Sequence, residues 1–380
     1  MVTEQDFEDI RPYYDHEINP ALHRLVTVPE FGKILDFLFP ERDKNEIIGE
    51  LKQITSALDF QKKFMHPLVY SIVRKTSRGL TSSGFEHLTP STPYLFVANH
   101  RDIVLDSAIL QVLLVDHSHE TSEITFGSNL MTNRFIIDFG KINRMFTVYR
   151  GGNKIEMFRN AQILSAYIRH TLTRKRTSAW IAQRNGRTKD GNDRTESGLL
   201  KMFNISGTGE FEESFRELNV VPLAISYEFE PCCALKVREI SVLSGGQAYQ
   251  KAPNEDLMSI LSGITRQKGR IHLAVCPPVN SFLHESRGIQ VYNDRITWLA
   301  SGIDREIHHH YRLWPTNYIA CDLLEAGTKY AKYYTSVQKE EFIGYMHQEL
   351  AGQGMDQPEY QELLLKLYAR PVLNSKNSEF

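Results

Sequence analysis

The chain has 380 residues, 41% hydrophobic and 24% charged, enough apolar material for one large core or two modest ones. A net charge of -2 excludes the strongly basic class of nucleic-acid binders. The balance is uneven, however: Arg134 to Lys201 holds 15 Lys/Arg against 5 Asp/Glu, and a positive belt of that kind suits an anionic ligand or surface.

Residues 1–80 predict a helical N-terminal region, with apolar positions at three- and four-residue steps in Phe31, Ile34, Leu35, Leu38 and in Ile47, Leu51, Ile54, Leu58. Thr81 to Gly84 reads as a hinge. Residues 81–285 then alternate strands with helices. Strands are expected at Tyr94–Ala98, Glu123–Gly127, Met145–Tyr149, Ser178–Ala182, Val220–Ser226, Leu235–Leu243 and Ile271–Cys276. Asp106 to Val115 reads as a buried helix, and Ile155, Phe158, Ala161, Leu164, Ile168 and Leu172 form the stripe of another, closed by Arg174-Lys-Arg176 at its negative end. This alternation predicts an α/β fold, a sheet with helices on its faces. Residues 286–380 read as a helical C-terminal region with a polar tail from Asn374 to Phe380.

Four cysteines, two of them adjacent at 232 and 233, give neither a disulfide framework nor a metal-ligand spacing, and suit a reducing compartment. The first residues are acidic and lack the apolar stretch of a secretory leader, and no apolar run approaches the roughly 18–20 residues that span a bilayer. Work on lipid would place such a chain on a membrane, not through it.

Four segments carry the chemistry. In Phe96-Val-Ala-Asn-His-Arg-Asp-Ile-Val-Leu-Asp-Ser107 a strand delivers His100 to its end and Asp106 to the start of a helix. An imidazole oriented by a carboxylate is the minimal kit for general-base catalysis. Asp102 competes with Asp106 for that orienting role. In Phe146-Thr-Val-Tyr-Arg-Gly-Gly-Asn-Lys154 a strand, two glycines and a helix start form a turn suited to phosphate, with Arg150 and Lys154 as charged partners; a plain left-handed turn explains the glycines equally well. Trp180-Ile-Ala-Gln-Arg-Asn-Gly-Arg-Thr-Lys-Asp-Gly191 is again a strand running into a loop rich in glycine and arginine. Val220-Val-Pro-Leu-Ala-Ile-Ser-Tyr-Glu228 has the pattern of a core strand, with Pro222 near its start.

In this order the four segments resemble the motifs of the glycerol-3-phosphate/lysophosphatidic acid acyltransferase superfamily, and most closely its glycerol-3-phosphate branch. The resemblance implies an acyltransferase-type mixed sheet. It implies His100 as general base with Asp106 behind it, and Arg150, Gly186, Arg187, Thr188 and Lys189 as the acceptor-binding set. Two departures stand out. Five residues separate His100 from Asp106 where the family has four, and Arg184 occupies the position of the glutamate that in the family helps hold the acceptor's polyol end. Either spacing requires the histidine to precede the helix, because neither puts both groups on one helical face.

What the resemblance implies is O-acyl transfer from an acyl thioester, of coenzyme A or acyl carrier protein, to a glycerol-phosphate or lysophospholipid hydroxyl. No metal and no tightly bound cofactor is expected, nor a nucleic-acid partner, and the location expected is cytoplasmic, at the inner face of a membrane. Amides near Gly186 or at the start of the Asp106 helix are the candidates to stabilise the oxyanion, and the sequence does not choose between them. Arg184 leaves open a more anionic or amino-acid-based lipid acceptor, and both departures leave open a non-catalytic acyl- or lipid-binding scaffold. His308-His-His310 reads as a solvated stretch of helix, and Trp298, Tyr311 and Trp314 as packing residues.

Overall fold

A computed structural model describes residues 2–252 and 254–377. Helices α1 (Asp15–Leu25), α2 (Pro29–Leu38), α3 (Lys44–Leu51), α4 (Ala57–Phe60) and α5 (His66–Thr76) come first, with a π-helical turn at Gln61–Met65 joining α4 to α5. Strands and helices then alternate: β1 (Gly79–Ser83), β2 (Leu95–Ala98), α6 (Leu105–Asp116), β3 (Glu123–Gly127), α7 (Arg134–Ile142), β4 (Met145–Val148), α8 (Lys154–Thr173), β5 (Ala179–Ala182), α9 (Ser197–Asn204), α10 (Phe211–Arg216), β6 (Val220–Tyr227), α11 (Cys233–Ser244), α12 (Glu255–Thr265) and β7 (Arg270–Val275). The chain continues through α13 (Tyr292–His310), α14 (Pro315–Leu324), α15 (Ser336–Ala351) and α16 (Pro358–Asn377).

The expected α/β class is the one observed. Seven strands form one mixed sheet in the order β1-β7-β6-β2-β5-β3-β4. All neighbouring pairs are parallel except β6 with β7. Strand alternation divides the apolar residues between two faces. Phe96 and Ala98 of β2 join Trp180, Val221 and Leu223 under α5, α6 and the N-terminal helices. Leu95 and Val97 join Ala179, Ile181 and Val220 under α8, α9 and α13. A third cluster holds α14, α15 and α16 against α11. Among the described residues no helix is long and apolar enough to cross a membrane.

Three local expectations fail. Thr81 to Ser83 is not a hinge but edge strand, pairing with β7; Gly84 (φ +79°) then turns the chain, and a Cβ there would lie 1.9 Å from the Val275 carbonyl oxygen. Leu235–Leu243 is helix α11, not a strand: burial falls on Cys233, Ala234, Lys236 and Val237, a helical spacing. Its polar member Lys236 is buried because Glu230 pairs with it (2.6 Å), which disguised the periodicity. The supposed tail continues α16 through residue 377, with Asn374 buried, and residues 378–380 lie outside the described part. In the histidine run His309 is exposed while His308 and His310 are half-buried, and His308 Nε2 lies 2.6 Å from the Asp193 carbonyl oxygen.

Candidate functional site

Strands β2, β3, β4 and β5 are mutually parallel, so the loops after them emerge on one edge of the sheet. That edge, at the carboxyl ends of strands, is where open α/β sheets bind ligands. His100 follows β2, Arg150 follows β4, and Arg184 to Lys189 follow β5. A cavity of about 870 Å³ lies there, lined by His100, Arg150, Arg184, Gly186, Arg187 and Lys189 together.

The extra residue between His100 and Asp106 is absorbed before α6 begins. Asn99 clamps the chain on leaving β2: its Oδ1 accepts from the Ile225 amide (2.8 Å) and its Nδ2 donates to the Ile225 carbonyl (3.0 Å). His100 is then free to turn, and its Nδ1 lies 2.8 Å from Asp106 Oδ2. The same oxygen accepts from the amides of Arg101 (2.6 Å) and Asp102 (2.9 Å), and the Tyr227 hydroxyl donates to Oδ1 (2.7 Å). Burial and the Asp106 charge together hold the Tyr227 phenol far above its ordinary range, so it stays a proton donor. Asp106 is therefore a fixed acceptor, which makes Nδ1 the protonated nitrogen and leaves Nε2 as the basic one. The imidazole meets the Trp180 indole edge to face, with ring centroids 5.5 Å apart.

Asp102 has a different task. Its Oδ1 accepts from the amides of Val104 (2.9 Å) and Leu105 (2.8 Å), capping α6, and burial followed by the Asp106 charge pushes its carboxyl up. These caps occupy two of the amides at the start of α6, those of Val104 and Leu105. Among the described residues the amides of 184–187 find no partner: the flanking backbone bonds are Gln183 to Ala98 (2.7 Å) and Thr188 to His100 (2.8 Å).

The cations differ in how they are held. The Arg150 guanidinium makes no hydrogen bond or ion pair among the described residues. Arg187 is 8% exposed; its Nη2 donates to Ser259 Oγ (3.3 Å) while Nη1 is buried without a partner among the described residues. Lys189 is already paired with Glu239 of α11. Burial lowers the Lys189 ammonium pKa, and that pairing works against the shift. Thr188 does not line the cavity: it is fully buried, with its hydroxyl donating to Asp193 (2.7 Å). Lys154 is absent from the wall too, and the first amides of α8 are taken by the Asn153 side chain (3.0 Å to Ile155 and to Glu156). Gly151 (φ +84°) and Gly152 (φ +99°) do form the expected left-handed turn.

Beneath the site runs a network with no motif to announce it. Arg101, 1% exposed, pairs with Asp193 and with Glu230 (3.3 Å), and Lys236 bridges Glu230 (2.6 Å) to the Arg101 carbonyl (2.8 Å). Asp193 also accepts from Asn99 (3.1 Å) and Thr188. Burial alone would lower the Arg101 pKa, but Asp193 and Glu230 hold it well above its ordinary value. The network ties the histidine loop to the loop after β5 and to α11, and buried ion pairs of this kind rigidify what they support, although Arg101 Nε stays without a partner among the described residues.

No family model matches the chain, and no curated protein does. Among solved structures it is similar to the 1-acyl-sn-glycerophosphate (LPA) acyltransferase PlsC from Thermotoga maritima, with 12% sequence identity and a TM-score of 0.40 over 77% of this chain and 93% of that one.

Proposed function

We propose that the protein is an O-acyltransferase of lipid synthesis, moving a fatty acyl group from a thioester of coenzyme A or acyl carrier protein to a hydroxyl of a phosphate-bearing glycerol or lysolipid. One observation carries this: a carboxylate-oriented imidazole and two guanidiniums that form no ion pair among the described residues, Arg150 and Arg187, line one cavity. Nε2 of His100 takes the acceptor hydroxyl proton as the oxygen attacks the thioester carbonyl. The new C–O bond forms, the C–S bond breaks, and the thiolate leaves with the proton returned from the imidazolium, which Asp106 stabilises meanwhile. Arg150 and Arg187 hold the phosphate, and the free amides around Gly186 are the candidate oxyanion donors.

The rest of the cavity suits an acyl chain. Phe126, Val148, Leu164, Ile181, Leu199 and Met202 supply apolar wall, and the volume is that of an ordinary small-molecule site. Beside the mouth, α8 leaves Ile155 82%, Met157 54% and Phe158 59% exposed, and Met157 reaches the cavity itself. Such an apolar edge next to a basic belt supports peripheral binding to an anionic membrane, from which a lysolipid enters. The test is turnover of labelled acyl-CoA with glycerol 3-phosphate and lysophosphatidate by wild type and His100→Ala. Transfer by wild type alone, with both proteins folded, is expected. Equal transfer by both would remove the proposal, and binding without turnover by wild type would make the chain a lipid-binding scaffold.

A further inference from the structure

We propose that Arg184 forms a second anion site beside Arg187, so that the acceptor is a phosphate ester carrying a carboxylate, not a plain polyol phosphate. This rests on the acyl-transfer function above and specifies its substrate.

Arg184 and Arg187 stand on either side of one tight turn, which Gly186 makes possible at φ +80°, and both line the cavity that His100 lines. Elsewhere the two most deeply placed ion-paired guanidiniums are met by carboxylates, Arg101 by Asp193 and Glu230 and Arg169 by Glu217, while Arg144 has two bonds to Thr121. In the cavity that is not so. Arg184 Nε and Arg187 Nη1 are both buried without a hydrogen-bond partner among the described residues. Burying such donors is unfavourable unless something meets them.

The wall does not supply it. Glu239 is taken by Lys189 and Asp256 by Lys251 (2.6 Å); Asp102 and Asp256 act on Arg187 and Arg150 through their charge without an ion pair, and Glu196 pairs with neither Arg184 nor Arg187 among the described residues. Arg150 and Arg187 already balance a phosphate dianion. A third guanidinium, with its planar fork of donors, then calls for a further planar anion, and a carboxylate matches it.

Glycerol 3-phosphate and 3-phosphoglycerate differ only in a hydroxymethyl group against a carboxylate, so calorimetric binding of each to the full chain isolates the second site. Wild type should bind 3-phosphoglycerate at least about tenfold more tightly, the worth of one charge-assisted hydrogen bond. Arg184→Gln should abolish that preference while leaving glycerol 3-phosphate affinity and the melting temperature unchanged, and Arg184→Glu should reverse it. Arg187→Gln should weaken both ligands. Equal affinities in wild type, binding of neither ligand, or an Arg184→Gln protein that loses both alike would overturn the proposal; the last would place Arg184 on the phosphate. Acyl transfer is read separately, by thiol release from acyl-CoA, so failure of the binding preference is separable from failure of acyl transfer.

Discussion

Replacing Asp106 with asparagine keeps the shape of the site and removes one charge. With its carboxamide oxygen in the place of Oδ2, the new residue still accepts from His100 Nδ1 and from the amides of Arg101 and Asp102, and its amino group faces the Tyr227 hydroxyl, which can turn to accept. What is lost is the attraction between carboxylate and imidazolium, which exists only once the proton has moved. For unit charges about 4 Å apart at an effective dielectric near 20, that attraction is about 4 kcal/mol. A loss of that size from the transition state lowers kcat by about 10³-fold. The assay is steady-state release of free thiol from acyl-CoA at saturating acceptor, with circular dichroism to show an unchanged fold. The acceptor KM should hardly move, because Asp106 is 2% exposed and does not line the cavity. Activity within about tenfold of wild type would refute the role given to this pair.

Other outcomes follow from the same geometry. Ile155→Asp with Phe158→Asp should weaken sedimentation with anionic phosphatidylglycerol vesicles by roughly 100-fold or more, since each buried apolar side chain contributes about 1.5–3 kcal/mol, while turnover of a short-chain soluble substrate stays unchanged. Gly191→Ala should destabilise the fold by about 1–3 kcal/mol in urea, because φ is +74° there and a Cβ would lie 2.3 Å from the Leu367 carbonyl oxygen. His272 lies between Thr81 (2.8 Å) and Ser83 (3.1 Å), and burial, with Arg312 nearby, pushes its pKa down to about 4 from 6.5. Between those values the unfolded chain binds the extra proton, so stability should fall by up to about 3 kcal/mol as pH drops through that window; His272→Gln should flatten the decline in urea midpoints.

Much of the architecture was visible in the chain because local pattern and tertiary role agree. The strands at residues 94–98, 123–127, 145–149, 178–182, 220–226 and 271–276 each appear within a residue or two, and the buried helix after Asp106 keeps its one polar interruption by bonding Gln111 to Ser122 (2.9 Å). Agreement failed where a charge is buried by a distant partner. Leu235–Leu243 read as a strand, and nothing local reveals that Glu230 buries Lys236 on a helix. Lys189 looked like a free phosphate ligand because Glu239, fifty residues on, is brought to it only by the packing of α11. Thr188 entered the acceptor-binding set through the motif resemblance, and in the structure its hydroxyl bonds Asp193. Arg101, beside the histidine, carried no signal at all: its partners come from residues 193 and 230.

The central claim concerns one pocket shared by a base and its anion-binding arginines, and a crystal structure of the protein with a bound acceptor addresses it directly. The phosphate should lie against Arg187 Nη1 and Arg150, with the acceptor hydroxyl within about 3 Å of His100 Nε2, the reach of a general base. A phosphate seated elsewhere, or a hydroxyl turned away from the imidazole, would contradict the account.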